Sequence, residues 1–510
     1  MTEYRVAPAQ VPAWRVLAWG LGVPLLAGAL AVGGFAPFYL WYLPFLSLVL
    51  LFFVWRSSGS PRQAALSGFA WGLGYFLTGV SWVYVSMHTY GGMPAVMAAI
   101  ATFAFCAYLA VFPALAGWLA ARMAAPGRPA LRVFAAAGAM TLAEWIRGWL
   151  LTGFPWLGLG TSQVPSSPFA AWAPYVGSYG VTLLLCAIAA IVVMSGRDAS
   201  SRLRIGFLAA ASAALLVGVF LRDVPWTKPA GPPVRVALLQ GNVAQQMKWE
   251  EDVRTKTLLD YRAMIFAADA QVVVVPETAL PAFLDQLPAP YLQSLRDHAR
   301  EKGKDLFIGT AEREPPGRDG VSTEYYNSLV RIGADGKQAS FRKRHLVPFG
   351  EFVPWGFRWF VDAMRIPMGD FSRGAKGQAP LVGNGVPFGV AICYEDIFGE
   401  EIIEQLPAAK ALVNVSNDAW FGESWAADQH LQASQMRALE TGRWMVRSTN
   451  TGASASIDPS GHVVGRLAPF TSGTLYADVT PMEGMTPYAR FGNWPAVLLA
   501  LLLLVVARRR

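Results

Sequence analysis

Cysteine, histidine and charge are all scarce in this sequence of 510 residues, and each scarcity excludes a class of protein. Three cysteines are too few for a disulfide framework, and five scattered histidines show no metal-ligand spacing. Charged residues make up only 15% of the chain, below the roughly 25% typical of soluble domains. Hydrophobic residues reach 54%, with a mean hydropathy of +0.35. We therefore expect a membrane protein that uses no metal or other cofactor.

Long apolar runs are abundant and unevenly distributed. They fill residues 1–221 and return near the C-terminus, whereas 222–490 has the mixed composition of a soluble domain. A spanning helix needs about 20 mostly apolar residues. This length predicts a polytopic α-helical bundle of about eight spans, at 12–32, 37–55, 65–87, 93–121, 131–150, 171–195, 204–221 and 493–507. The first run is too long for the apolar part of a signal peptide and is expected to remain as an anchor.

Lysine and arginine occur only in alternate loops between these runs, which predicts the orientation of the chain. The loops that carry them contain Arg5 and Arg15; Arg56 and Arg62; Arg122, Arg128 and Arg132; and Arg197, Arg202 and Arg204. Both termini are therefore expected in the cytoplasm and the soluble region on the opposite side, which for a bacterial inner-membrane protein is the periplasm. The predicted domains are a seven-span membrane domain (1–224), an extracytoplasmic domain (225–490) and a C-terminal span with a basic tail (491–510).

The net charge of +8 does not indicate nucleic-acid binding. The basic residues punctuate the apolar runs and cluster as Arg508, Arg509 and Arg510, rather than forming a patch along one groove. Such a distribution is typical of membrane orientation and of contact with anionic lipid headgroups. We expect no nucleic-acid partner.

Two opposite charges, Glu144 and Arg147, fall within the fifth predicted span. Their i, i+3 spacing places them on one helix face, where they can neutralise each other. Two interpretations remain open from the sequence: a buried pair that fixes helix packing, or a site that senses lipid headgroups.

The region from Val234 onward alternates short β-rich runs with amphipathic helical stretches. Short β-rich runs at 234–243, 270–278, 304–310, 387–396, 411–418, 444–449, 453–457 and 474–479 predict strands, and 254–268, 290–302 and 428–441 predict helices. Residues 327–345 predict a hairpin with Ala334-Asp335-Gly336 at its tip. This alternation predicts a layered α/β domain in which helices cover the sheets.

Three polar residues stand at or just after apolar strands of this domain: Glu277, Lys343 and Cys393. The ends of strands are where α/β domains place reactive groups. A carboxylate can take the proton of a thiol, and an ammonium can stabilise the thiolate and then an oxyanion. Each residue also has an ordinary structural interpretation, as a helix cap, a solvated cation or a core cysteine. Cys106 and Cys186 lie inside apolar runs and are expected to be packing residues.

The residues around these three resemble a known family. The stretches are VVPETALP, RKRHLVPFGEFVP, FSRG, AICYED, NVSNDAWFG, QMRALETGRWMVRSTNTG and TPYARFGNWP. Residues 234–480 resemble the carbon–nitrogen hydrolase (nitrilase) superfamily, and the whole chain resembles its apolipoprotein N-acyltransferase family. The resemblance implies a four-layer αββα sandwich with a Glu, Lys and Cys catalytic set, joined to seven spans before it and one after.

The resemblance also implies roles for individual positions. Glu277 matches the general base, Lys343 the lysine that binds the oxyanion, and Cys393 the nucleophile. Glu351 matches a second glutamate that supports the lysine and the tetrahedral intermediate. Two residues follow the nucleophile as in the family, Tyr394 and Glu395, and two match aromatic positions associated with substrate handling, Trp249 and Trp420. Arg344 is a mild departure, because that position is often smaller and uncharged.

The implied activity is acyl transfer between two lipids. The sn-1 acyl chain of a phospholipid moves through a thioester on Cys393 to the α-amine of the diacylglyceryl-cysteine that begins an apolipoprotein. One alternative is a membrane-tethered amidase that uses water as acceptor. Another is a non-catalytic membrane scaffold or transporter, which predicts charges in several spans or the loss of one of the three residues.

Overall fold

The computed structural model describes residues 18–124, 129–195, 201–244, 251–314, 324–356, 358 and 370–508. Apolar helices form at all eight predicted positions. They are α1 (Val23–Ala31, preceded by one π-helical turn), α2 (Tyr42–Ser57), α3 (Pro61–Gly79), α4 (Ala95–Met123), α5 (Pro129–Arg147), α6 (Ala173–Met194), α7 (Ser201–Leu221) and, at the C-terminus, Trp494–Arg508. The predicted start of the first span, at residue 12, lies outside the described residues.

Three of these helices are long and apolar enough to cross a membrane: Ala95–Met123, Ala170–Met194 and Arg204–Leu221. Three further apolar segments are shorter, namely Ala18–Gly34, Tyr42–Ser57 and Trp494–Arg508. The helices are therefore where the sequence predicts them, and the number that span the membrane stays a prediction.

Close backbone contacts join α3 to its neighbours on both sides. A Cβ atom on Gly74 would lie 2.0 Å from the carbonyl oxygen of Leu25, and one on Gly68 would lie 2.3 Å from that of Pro113. Only glycine allows these approaches, and small residues at helix contacts are typical of membrane bundles, where packing rather than the hydrophobic effect holds helices together.

The side chains of Glu144 and Arg147 form hydrogen bonds to the backbone of the loop that follows α5. Glu144 accepts hydrogen bonds from the backbone N–H of Leu159 at 3.0 Å and from the Thr182 hydroxyl at 2.7 Å. Arg147 donates to the carbonyl of Trp156 at 2.7 Å and to that of Phe154. These contacts favour the structural interpretation over headgroup sensing, but the partners differ from those expected. Both side chains fasten the loop rather than bonding each other.

Among its described residues, the soluble region contains two six-stranded sheets and a two-stranded ribbon. One sheet has the order β13-β2-β3-β4-β5-β6, the other β12-β11-β10-β9-β8-β7, and β1 pairs with β14. Their bounds are β1 (Thr227–Pro229), β2 (Val234–Gln240), β3 (Val272–Val275), β4 (Asp305–Arg313), β5 (Tyr325–Ile332), β6 (Gln338–Arg342), β7 (Leu381–Gly383), β8 (Val386–Ile392), β9 (Ala411–Ser416), β10 (Met445–Thr449), β11 (Ala455–Ile457), β12 (Val463–Arg466), β13 (Gly473–Val479) and β14 (Met482–Gly484).

In the described part of this region, five helices complete the architecture: α8 (Glu251–Ala267), α9 (Ala289–Lys302), α10 (Gly399–Ile403), α11 (Ala426–Thr441) and α12 (Pro487–Phe491). The C-terminal apolar helix is α13. Strands β5 and β6 form the predicted hairpin with an antiparallel register. The short strands β1, β7, β12 and β14 were not predicted, because segments of three or four residues carry little periodicity.

The two sheets face each other through alternate side chains of their central strands. Val236 and Leu238 of β2 share a buried cluster with Val390 and Ile392 of β8. The intervening residues of β2, such as Leu239, point to the other side and pack on α8 and α9. Side chains on the outer face of the second sheet pack on α10 and α11. The order helix, sheet, sheet, helix confirms the αββα sandwich.

Helix α11 also faces the membrane helices and so joins the two parts of the chain. The side-chain oxygen of Gln432 accepts the backbone N–H of Ala36 at 2.9 Å, and that of Gln435 accepts the Tyr39 hydroxyl at 3.1 Å. The sandwich is therefore held on the helical bundle by polar contacts as well as by apolar packing.

Candidate active site

Cys393 lies at the turn where β8 ends and a short 3-10 helix, Cys393–Ile397, begins. Its φ is +55°, in the left-handed region that residues with a Cβ rarely occupy. Such strain persists only where the surroundings fix it, and it is concentrated at functional sites. Here Asn414, on the parallel neighbour β9, donates its side-chain N–H to the carbonyl of Cys393 at 2.8 Å.

Glu277 follows β3 of the opposite sheet and is 6% exposed. Its Oε1 accepts the side-chain N–H of Asn327 at 2.7 Å, and its Oε2 accepts the backbone N–H of Asn417 at 2.8 Å. These donors come from β5 and from the turn after β9, so strands of both sheets fix the carboxylate. Hydrogen bonds to an ionised carboxylate stabilise its charge.

Lys343 follows β6 and is 1% exposed. Its ammonium lies 3.2 Å from Oε1 of Glu277 and 2.9 Å from Oε1 of Glu351. Burial by itself lowers the pKa of Lys343, but the two carboxylates outweigh it and raise the pKa well above its ordinary value. The lysine is therefore a permanent cation between two acceptors.

Asn327 is a residue of this site that the sequence did not identify. It is buried, and its side-chain nitrogen also donates to Oε1 of Glu351 at 2.9 Å. Its own carbonyl accepts the backbone N–H of Lys343 at 2.7 Å. The available signal, a polar residue within a strand that also contains Ser328 and Arg331, is weak.

The electrostatic balance of this cluster leaves the thiol of Cys393 neutral. Burial and the negative charge of Glu277 raise the pKa of the Cys393 thiol far above its ordinary value, and Lys343 opposes them only in part. A neutral thiol needs a base at the moment of attack. The arrangement can therefore support nucleophilic catalysis in which a carboxylate takes the proton from the sulfur.

Tyr394 and Glu395 fasten the turn at Cys393 to the segment that carries Lys343. The Tyr394 hydroxyl donates to the carbonyl of Leu346 at 3.0 Å. The Glu395 carboxylate accepts three backbone N–H groups, from Ile392, Arg344 and His345, at 2.7–2.9 Å. Burial raises the pKa of Glu395 to about 7, against the effect of these donors. These contacts favour a positioning role for both residues.

A second buried charge cluster lies behind the turn at Cys393, and the sequence did not predict it. Arg447 on β10 donates to Asp396 at 3.0 Å and to Asp418 at 2.8 Å, and His430 contacts both carboxylates. The same guanidinium donates at 2.8 Å to Asn414, the residue that holds the Cys393 carbonyl. All these side chains are almost completely buried.

The structure describes only one of the two aromatic residues that were predicted to handle substrate. Trp249 lies outside the described residues. Trp420 is 42% exposed, its carbonyl accepts the Ser86 hydroxyl at 2.8 Å, and its ring lies 6.2 Å from that of Tyr90. Trp420 therefore sits against the segment that follows α3, and its role in substrate binding stays a prediction.

The fold and this cluster define a class of protein: a nitrilase-type domain joined to a bundle of apolar helices. Comparison with known families agrees in both halves. Residues 235–488 match the carbon–nitrogen hydrolase model, and residues 27–191 match the model of the apolipoprotein N-acyltransferase N-terminal domain.

Curated relatives extend the agreement over nearly the whole chain. The apolipoprotein N-acyltransferase of Nitrosomonas europaea is 47% identical over 476 residues, which cover 91% of this chain and 92% of that protein. The enzyme of that name from Chromobacterium violaceum is 44% identical, covering 95% and 93%, and that from Methylococcus capsulatus is 45% identical, covering 93% and 92%. This chain belongs to the apolipoprotein N-acyltransferase family. It is an acyltransferase of lipoprotein biosynthesis with membrane character.

Proposed function

We propose that Cys393 carries a fatty acyl group from a phospholipid, such as phosphatidylethanolamine, to the α-amine of a diacylglyceryl-cysteine at an apolipoprotein N-terminus. The observation that carries this proposal is the buried contact of Lys343 with Glu277 and Glu351 beside a neutral thiol. In this proposal Glu277 is the general base, Lys343 binds the oxyanion, and Glu351 keeps Lys343 in place.

In the first half-reaction, Glu277 takes the thiol proton as the sulfur attacks the carbonyl carbon of the sn-1 ester. Lys343 and a backbone N–H after Cys393 stabilise the oxyanion. The ester C–O bond then breaks, and Glu277 passes the proton to the departing oxygen. Lysophospholipid leaves, and the acyl group remains on Cys393 as a thioester.

In the second half-reaction, the neutral α-amine of the lipoprotein attacks the thioester carbonyl. Glu277 accepts a proton from the nitrogen, the C–S bond breaks, and the proton returns to the sulfur. The product is an amide, and the free thiol of Cys393 is restored. Two acyl transfers at one nucleophile predict ping-pong kinetics.

The lipid nature of both substrates explains why the site borders the helices. Cys393, Val347 and Phe421 pack against the apolar cluster built mainly from the membrane helices. A site at the membrane surface avoids the cost of drawing acyl chains into water, which is about 0.8 kcal/mol per methylene. We place Trp249 and Trp420 among the residues that handle these chains.

The proposed setting is the inner membrane of a bacterium. Residues 1–224 form the seven-span domain, 225–490 the periplasmic catalytic domain, and 491–510 the last span with its cytoplasmic basic tail. The alternation of arginine-bearing and arginine-free loops supports this orientation.

Mass spectrometry of the intact purified protein after incubation with phospholipid tests the proposal. We expect a fatty acyl adduct on the wild type and on the matched control Cys186→Ala, but none on Cys393→Ala. A diacylated lipopeptide should discharge the adduct and water should not. Rapid discharge by water alone would indicate a membrane-tethered hydrolase, and the absence of any adduct would contradict the mechanism.

A further inference from the structure

Asn414 links the strained turn at Cys393, where φ is +55°, to the buried charge cluster behind that turn. Its side chain lies on β9 and is completely buried. The amide nitrogen donates to the carbonyl of Cys393 at 2.8 Å, and the amide oxygen accepts an N–H of Arg447 at 2.8 Å. The two ends of one amide therefore bond to the turn that carries the thiol and to a buried cation.

The guanidinium of Arg447 decides which end of this amide faces Cys393. A guanidinium has only N–H donors, so it bonds to the oxygen of the Asn414 amide and leaves the nitrogen for the carbonyl. Asp396 at 3.0 Å and Asp418 at 2.8 Å hold the guanidinium itself. An amide turned end over end would place N–H against N–H and oxygen against oxygen. The direction of the amide is therefore fixed by its buried partners.

The carbonyl of Cys393 and the N–H of Tyr394 belong to the same peptide unit. Among the described residues the cis peptide bonds all precede proline, so this one is trans. In a trans peptide the C=O and N–H bonds point in opposite directions within one rigid plane. A hydrogen bond that holds the carbonyl toward Asn414 therefore directs the Tyr394 N–H away from Asn414.

That direction leads to the side of the sheet on which Glu277 and Lys343 lie. Leu412, two positions before Asn414 on β9, packs in the cluster with α10 and α11, whereas Val413 faces the opposite sheet. Alternate residues of a strand share a face, so Asn414 holds the carbonyl from the helix side. The N–H of the same peptide is then directed to the side of the opposite sheet, which carries Glu277 and Lys343.

We infer that Asn414 is a positioning residue: held by Arg447, it turns the Tyr394 N–H toward the oxyanion that forms at the acyl carbon. The inference rests on the proposed function, in which Lys343 and the backbone N–H after Cys393 stabilise that oxyanion. Asn414 touches no reacting atom in this proposal. It acts through the direction of one peptide plane, and an oxyanion donor helps only when it is aimed at the developing charge.

The segments on either side of this peptide are fixed by other contacts. Glu395 accepts the N–H of Ile392 at 2.8 Å, and the Tyr394 hydroxyl donates to the carbonyl of Leu346 at 3.0 Å. Loss of the Asn414 amide therefore leaves the turn in place but frees the peptide plane to rotate about the two single bonds that adjoin it. We expect a thiol that still reacts beside an oxyanion donor that is misdirected.

Two small reagents separate these two properties of Cys393. 4-Nitrophenyl acetate acylates the thiol through a tetrahedral oxyanion: the C–S bond forms, the ester C–O bond breaks and nitrophenolate leaves. Iodoacetamide alkylates the same sulfur by displacing iodide, without an oxyanion at the attacked carbon. In both reactions Glu277 takes the thiol proton. The full-length protein in detergent micelles is treated with each reagent, and mass spectrometry of the peptide that contains Cys393 measures both rates.

Asn414→Leu removes both hydrogen bonds of the amide at nearly constant volume. We expect its acylation rate to fall roughly 10- to 100-fold, the size expected when a group is misplaced by about 1 Å, while its alkylation rate stays close to that of the wild type. Asn414→Ala, which adds no bulk, gives the same comparison if the leucine side chain prevents folding. Ser434→Ala is the matched control, because it removes a buried donor to Asp396 in the same cluster. It should change both rates by the same factor.

A backbone substitution tests whether the effect passes through the Tyr394 N–H. Replacing Tyr394 by its α-hydroxy acid turns the peptide into an ester, which has no N–H. In that protein Asn414→Leu should lower the acylation rate no further, because the donor that Asn414 orients is gone and the two changes are not additive.

Equal losses of acylation and alkylation in Asn414→Leu would overturn the inference. So would acylation at the wild-type rate in that variant, or a full additional loss in the ester protein. A wild type that forms no adduct with phospholipid would contradict the proposed function, whereas the two small reagents would still test the direction of the N–H.

Discussion

The ammonium nitrogen of Lys343 lies 3.2 Å from Oε1 of Glu277, and both side chains are almost completely buried. A second carboxylate, Glu351, lies on the same ammonium at 2.9 Å. One cation therefore lies between the buried carboxylate of Glu277 and the partly buried carboxylate of Glu351, which would otherwise repel each other. The same cation is the group proposed to bind the oxyanion, so stability and catalysis depend on one contact.

Replacing Lys343 by methionine is expected to lower stability and abolish the acyl adduct. The variant leaves the buried carboxylate of Glu277 and the partly buried one of Glu351 without this counter-charge, and breaking a buried pair costs about 3–5 kcal/mol. The melting temperature in detergent and the adduct assay measure the two effects. Lys228→Met is the control, because Lys228 and its partner Glu483 are 76% and 42% exposed, and an exposed pair contributes only about 0–1 kcal/mol. A Lys343→Met protein that still forms the adduct would contradict the proposed role.

Asn327→Ala is expected to slow thioester formation. The substitution removes the hydrogen bonds to Glu277 and Glu351, and each bond to a charged group contributes about 1.5–3 kcal/mol. If one such contribution is specific to the transition state, the rate falls roughly 10- to 150-fold. The rate of adduct formation in a single turnover, compared between the variant and the wild type, measures this decrease.

Asn327→Asp is the isosteric comparison for this prediction. It preserves the volume of the side chain but places a third carboxylate between the other two, where like charges repel. We therefore expect Asn327→Asp to lose more activity than Asn327→Ala. The reverse order would show that the alanine variant acts through its cavity rather than through the lost donor.

Gln429→Leu is expected to loosen the junction between α11 and the membrane helices. The side-chain oxygen of Gln429 accepts the indole N–H of Trp156 at 2.8 Å and that of Trp82 at 3.2 Å, and its nitrogen donates to the carbonyl of Gly79 at 3.1 Å. Leaving the Trp156 donor buried without its acceptor costs about 1–3 kcal/mol. The melting temperature should fall accordingly. Gln293→Leu, on the exposed face of α9, should change stability by no more than about 0.5 kcal/mol.

The raised pKa of Glu395 predicts that the stability of the protein depends on pH. Burial raises its pKa to about 7, whereas an unfolded glutamate has a pKa of about 4.3. The folded state thus binds this proton more tightly, so its contribution to stability is full below about pH 4.3 and is lost as pH rises through 7. The melting temperature should fall across this window.

Glu395→Gln carries no titrating group at this position. As pH rises, its melting temperature should therefore fall less steeply than that of the wild type, even if the substitution changes the melting temperature itself. Some slope should remain, since burial also raises the pKa of Glu440 to about 7. Glu423→Gln, at an exposed position, should reproduce the wild-type slope. Equal slopes in the wild type and Glu395→Gln would refute the assignment.

Much of the fold could be predicted because its signals are local. Hydropathy located helices such as Ala95–Met123, and apolar runs located strands such as Val386–Ile392. The short strand Leu381–Gly383 was missed for the same reason, since three residues carry no period. The positions Glu277, Lys343 and Cys393 came from motifs rather than from spacing, and the fold does bring them together.

The sequence by itself determined where the apolar helices form, most of the strands of the sandwich and which three residues are candidates for chemistry. Only the tertiary structure decided what holds those residues in place. Asn327 and Glu277 are 50 positions apart, and His345 and Thr152 are 193 positions apart. No local pattern encodes such contacts, because they depend on which strand ends and loops the packing of two sheets and a helical bundle brings within hydrogen-bond distance.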